Sequence, residues 1–100
     1  MMTETDRELL QFAAKAAGEW PSPEPFEHVL SRWNPLTDDG DAFRLAVKLN
    51  IAVRRSDEYD ASYAVSPYGP TLISETDADP YAATRRAIVR AAAEIGRNIK

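Results

Sequence analysis

The chain has no cysteine, so it can form neither disulfides nor a thiolate metal site. Glycine is scarce, at four residues, and neither phosphate-cradling pattern, GxGxxG or the Walker loop, is present. Histidine occurs once, at His28. With no second histidine, cysteine or serine motif to work with, it reads as a surface or packing residue rather than a catalytic base. HExxH and GxSxG are also missing. No apolar run approaches the ~20 residues that span a bilayer. The stretch Met1-Met2-Thr3-Glu4-Thr5-Asp6 is acidic and lacks the apolar core of a signal peptide. These absences point to a soluble, cytoplasmic protein with no catalytic motif and no implied cofactor or metal.

What is present is ordinary globular composition, with 44% hydrophobic and 28% charged residues. One hundred residues make one domain, 1–100. The net charge of −4 argues against general binding to nucleic acid or to anionic membranes.

The chain is organised around Trp33 to Leu49. Asn34-Pro35 is a turn, because proline pushes the residue before it out of the helical region. Asp38 is the expected helix cap, with Asp41 three residues on in a weak capping box. Asp38-Asp39-Gly40-Asp41 is too short for a calcium loop and lacks its distal glutamate. The acidic start and the basic end, Arg44 and Lys48, suit the helix dipole. Ala42, Leu45, Ala46 and Leu49 form one apolar stripe. Phe43 and Val47 widen it, which predicts a helix buried on more than one side. Trp33 reads as a structural anchor.

Before this stretch, Thr5 and Glu8 form a capping box that opens a helix to Ala17. Gly18 ends that helix, and its apolar face is Leu9, Phe12, Ala13, Ala16 and Ala17 with Leu10 beside it. Glu19 to Leu36 is a connector stiffened by Pro21, Pro23 and Pro25. It is read as a loop laid over the core, or else as an extended ligand for a partner. Phe26, Val29, Leu30 and Trp33 would anchor it through a short strand or helical turn.

After the central helix, closed by Asn50, the period changes. Three short strands follow: 51–54 with Ile51 and Val53 on one side, 62–66 with Tyr63 and Val65 on one face, and 71–74. Turns at 56–60 and 67–70 separate them, and such short connections predict an antiparallel meander. Asp79-Pro80 opens a last helix to about Ile95, with Ile88, Ala91, Ala92 and Ile95 as its face. From Asp79 to Lys100 there are five basic and two acidic residues, against seven and fourteen in the rest. The arginines of this helix, Arg85, Arg86, Arg90 and Arg97, are expected to face water or to pair with the acidic body. No aromatic residue interleaves them as a nucleic-acid surface requires. The fold class is therefore α+β: a small three-stranded antiparallel sheet with helices packed on it.

The segment Trp33 to Leu49, followed by Ala82 to Gly96 with its Ala82-Ala83-Thr84-Arg85-Arg86-Ala87-Ile88-Val89 start, resembles the small phage and prophage proteins grouped as the phage ABA sandwich domain. The likeness spans most of the chain. It implies helix–sheet–helix layers and, for a phage-derived protein, the cytoplasm of the host cell. The family brings no established activity, so the resemblance implies no catalytic residue.

Two functional classes follow. One is a non-catalytic phage or prophage accessory protein acting by protein–protein contact, on a host protein or by self-association. The other is a small-molecule or nucleotide binder that interferes with host defence signalling. Its candidate site gathers Trp33, Asn34 and Tyr68 with Arg86 or Arg90 as the anion partner.

Overall fold

The computed structural model of the chain describes residues 4–68 and 72–99. Its elements run α1 (Glu4–Ala17), α2 (Phe26–Leu30), α3 (Asp39–Leu49), β1 (Ala52–Ser56), β2 (Ala61–Val65), β3 (Leu72–Glu75) and α4 (Pro80–Arg97). The α+β class and the antiparallel meander β1-β2-β3 are as expected from the sequence.

Helix α1 ends where Gly18 takes a φ of 78°. The N–H of Glu19 then reaches back to the Ala14 carbonyl at 2.8 Å, the closure that a left-handed residue permits. At the other end, Thr5 already lies inside the helix and is not its cap. Residue spacing fixes a helix start only to within a residue or two. The connector is anchored by a helical turn: Phe26 and Val29 of α2 are buried, and Trp20 meets the Phe26 ring edge-on at 5.2 Å. The Arg7 guanidinium sits 5.4 Å from the centroid of that ring and pairs with Glu27. A hydrogen bond from its own backbone, and then Arg7, hold the Glu27 carboxyl below its ordinary 4.5.

Asp38 caps α3 by accepting the N–H of Asp41 at 2.8 Å. Asp41 does not reach back to Asp38. It accepts the N–H of Asn34 at 2.9 Å instead, which ties the turn to the helix. Asn50, at φ 55°, ends α3, and the N–H of Ile51 closes on the Ala46 carbonyl at 2.9 Å. Ala42, Leu45, Ala46 and Leu49 are buried as their spacing predicts. Phe43 and Val47 are not: both stand out of the core.

The strands depart from the expected pattern in their ends. β1 starts at Ala52, one residue later than read, and β3 reaches Glu75. Gly69, Pro70 and Thr71, parts of the expected turn and third strand, lie outside the described residues. Opposed residues share a face, so Val53, Ala64 and Ile73 form one row and Ala52, Val65 and Leu72 another. Ala64 and Ile73 are buried beneath α4, whereas Val65 and Leu72 are exposed. Tyr63 and Val65 do share a face, but it is the open one.

Helix α4 is the helix that packs against the sheet, mainly under β2 and β3. Its other side takes α1, and α3 lies alongside. The order of layers is therefore sheet, α4, α1, in place of the helix–sheet–helix order that the resemblance implies. No helix covers the face bearing Arg54, Tyr63 and Leu72 among the described residues. As the middle layer, α4 is buried more widely than the expected four-residue face, at Ala83, Ala87, Val89 and Ala93 as well.

Asp79 caps α4 and Pro80 opens it, as read. Asp6 pairs with Arg86, Phe12 lies under Gly96, and Lys15 donates to the Ile99 carbonyl. These contacts advance together along both segments, so α1 and α4 run in the same direction. At Gly96 an added Cβ would lie 1.9 Å from the Phe12 carbonyl oxygen. Gly96→Ala is therefore expected to destabilise by about 1–3 kcal/mol through overpacking against backbone. Asp38→Ala is expected to cost about 0.5–2 kcal/mol as a lost cap. Urea denaturation of each variant checks both, and an unchanged midpoint for Gly96→Ala would contradict the close helix contact.

Candidate functional site

Four of the large apolar side chains that the core leaves out gather at one place. Phe43 and Val47 are one helical turn apart on α3, and each keeps about two-thirds of its surface in water, at 68% and 64%. Facing them is Tyr81, also 68% exposed. Its position follows from the cap: Asp79 accepts the Tyr81 N–H at 2.9 Å and fixes the first turn of α4. Val53 of β1 closes the third side and is 43% exposed. Between them runs a groove of about 520 Å³, floored by Ala46, Ile51 and Ile88.

The groove exists because α4 underlies β2 and β3 and reaches β1 only at its margin. On that side α3, packed on α4, bounds the space below β1 without filling it. The polar groups on the rim are engaged with one another. Arg85 donates to Asp39 at 2.7 Å and to the Leu36 carbonyl at 2.8 Å. Thr84 donates to the Pro80 carbonyl at 2.8 Å. Its single proton is thereby used, so the 2.8 Å contact to buried Ser62 has Ser62 as donor. Arg55 in turn donates to Ser62 at 3.2 Å.

A second concavity of about 430 Å³ lies on the open sheet face, between Ala52, Arg54, Tyr59, Tyr63, Val65 and Leu72. Val53 borders both hollows, so apolar surface continues around the β1 edge.

The five residues singled out from the sequence do not line either hollow. Trp33 is half-buried and packs against the core, as an anchor does. Asn34 donates its N–H to Asp41, and its side-chain oxygen accepts the Leu36 N–H at 3.1 Å. Tyr68 is exposed in the turn after β2. Arg86 pairs with Asp6, and Arg90 pairs with Glu75 and reaches the Ser74 carbonyl at 3.3 Å. No hydrogen bond or ring contact joins any two of the five among the described residues. The aspartates of the central run are also engaged: Asp38 in the cap, Asp39 with Arg85, and Asp41 with Asn34 and Arg44.

Comparison with protein-family models, with curated proteins and with solved structures gave no match.

The groove is hidden in the sequence because Phe43 and Val47 extend the apolar stripe of α3 and so read as core. One signal points the other way. Ala42, Leu45, Ala46 and Leu49 already complete a stripe, so two further large apolar residues exceed what one packed face needs. Phe43→Ser and Val47→Ser are each expected to leave stability within about 0.5 kcal/mol, as exposed positions do. Leu45→Ala, on the buried face of the same helix, is expected to cost about 2–5 kcal/mol. Chemical denaturation of the three variants separates the faces.

Proposed function

We propose that this protein acts without catalysis, by protein–protein contact through the groove between α3, β1 and α4. The observation that carries this reading is the exposed apolar surface of Phe43, Val47, Val53 and Tyr81 around one hollow. Leaving such surface in water forgoes about 25 cal/mol per Å² that burial would return. Contiguous apolar patches of this kind, rimmed by polar groups, mark sites of association. The rim groups are held in place, Arg85 by Asp39 and the Leu36 carbonyl and Thr84 by the Pro80 carbonyl, an arrangement suited to framing a partner.

The resemblance to phage ABA sandwich proteins is the ground for a phage or prophage accessory role, with the contact made in the host cytoplasm to a host protein or to a second copy. A second reading has one observation in its favour: Arg85, an arginine of the last helix, borders a hollow of about 520 Å³, the size of a small-molecule site. An anionic ligand or nucleotide there must compete with Asp39 and the Leu36 carbonyl for that guanidinium. The contact reading is therefore preferred.

Native mass spectrometry of the protein purified from its host decides between them. The expected result is a retained protein, or a second copy, that is lost from the Phe43→Ser, Val47→Ser double variant. A partner kept equally well by the double variant would contradict the groove as the contact site. A retained species of nucleotide mass, lost on Arg85→Ala, would establish the second reading.

A further inference from the structure

We infer that the groove receives an extended segment of a partner protein as a fourth strand on β1, with apolar residues at alternate positions and a carboxylate beside Arg54. This rests on the contact reading and specifies the occupant.

The argument starts from the sheet order, which makes β1 an edge. An edge strand presents unpaired N–H and C=O groups along its free side. On the helix side, the row Val53, Ala64, Ile73 stops at Val53. A strand added beside β1 would continue that row. Its helix-side residues would enter the space that α3 bounds and α4 does not fill, against Phe43, Val47 and Tyr81. The groove thus lies where the inward side chains of a missing strand would sit. Strand addition draws affinity from backbone hydrogen bonds and specificity from pockets for alternate side chains.

Charge supplies the second half of the argument. Among the described residues, each other arginine has a carboxylate partner: Arg7, Arg32, Arg44, Arg55, Arg85, Arg86, Arg90 and Arg97. Arg54 has none. It stands on the open face in the row of Tyr63 and Ser74. An added strand would place its outward residue directly beside that guanidinium, where an opposite charge is favourable and a like charge is not.

The same reasoning disfavours a second copy as the occupant. If β1 paired with itself about a two-fold axis through Arg54, the two Arg54 side chains would face each other. The helix-side residues it offers would be Val53 and Arg55, and Arg55 is held by Asp60 and Ser62. An apolar groove is poorly matched by that pair.

The test uses the full chain, isotope-labelled for nuclear magnetic resonance, and a short synthetic peptide alternating valine with glutamate. Of three control peptides, one alternates valine with lysine and two are valine–glutamate peptides with N-methyl groups on every second residue, one for each register. The valine–glutamate peptide is expected to slow hydrogen exchange at the outward β1 amides and to shift Phe43 and Val47. N-methylation should abolish binding in the register whose N–H groups face β1 and spare it in the other, whose methyl groups point away from the sheet. Arg54→Glu should weaken the glutamate peptide by about fivefold or more, and reverse the preference towards lysine. Unimpaired binding of both N-methylated peptides, or unchanged exchange along β1, would overturn strand addition while shifts at Phe43 and Val47 left groove contact standing. Absence of binding at millimolar peptide would also overturn it. The double variant in native mass spectrometry judges the contact reading separately.

Discussion

Helices α1 and α4 come close enough for backbone to meet backbone. The Phe12 carbonyl lies where a side chain on residue 96 would begin, so only glycine fits there. Alanines on both helices extend the close packing, with Ala13, Ala14 and Ala17 on one side and Ala92 and Ala93 on the other all buried. A helix gripped this closely by another has one further side to offer, and α4 gives it to the sheet. That makes α4 the middle layer, buried over most of its circumference, and puts α1 on its far side from the strands. The open face of the sheet follows from the same arrangement, since the remaining helices are held on the α4 side.

Arginines tie this arrangement together at its margins. Arg85 joins α4 to the cap region of α3, Arg86 joins it to α1, and Arg90 joins it to β3. Three arginines of the basic last helix thus find carboxylate partners on the acidic body. Each pair at such partly exposed positions contributes little stability alone, about 0–1 kcal/mol. Their effect is to fix how the elements sit. Arg55, Ser62, Thr84 and the Pro80 carbonyl make a further polar chain from sheet to helix, with every proton assigned.

The groove is the consequence of a mismatch between layers. Two helices, α3 and α4, make a floor wider than the three strands above it. The surplus floor is apolar and lies beside an edge strand. Edge strands invite pairing, and charged side chains commonly blunt them. Arg54 and Arg55 put charge of this kind on β1.

Local chemistry was legible from residue order. Asp38 and Asp79 are caps because a short carboxylate precedes a helical run, and Gly18 and Asn50 end helices because they tolerate the left-handed backbone. The three short strands and their antiparallel order follow from apolar runs joined by tight turns. The α3 stripe Ala42, Leu45, Ala46, Leu49 follows from a 3.6-residue period. Facing was a different matter. A period of two says that Tyr63 and Val65 share a side with each other, and Ser62 with Ala64; it does not say which side receives the helix. Here α4 covers the small side, where an alanine-rich helix seats closely on Ser62 and Ala64 and Thr84 satisfies the buried hydroxyl. Phe43 and Val47 read as core because they widen the α3 stripe, and they line a groove because no strand lies above them. Sequence order determined the elements, and their ends to within a residue or two, since those depend on neighbours along the chain. Only the tertiary structure decided which faces are buried, because that depends on what the far elements bring against them.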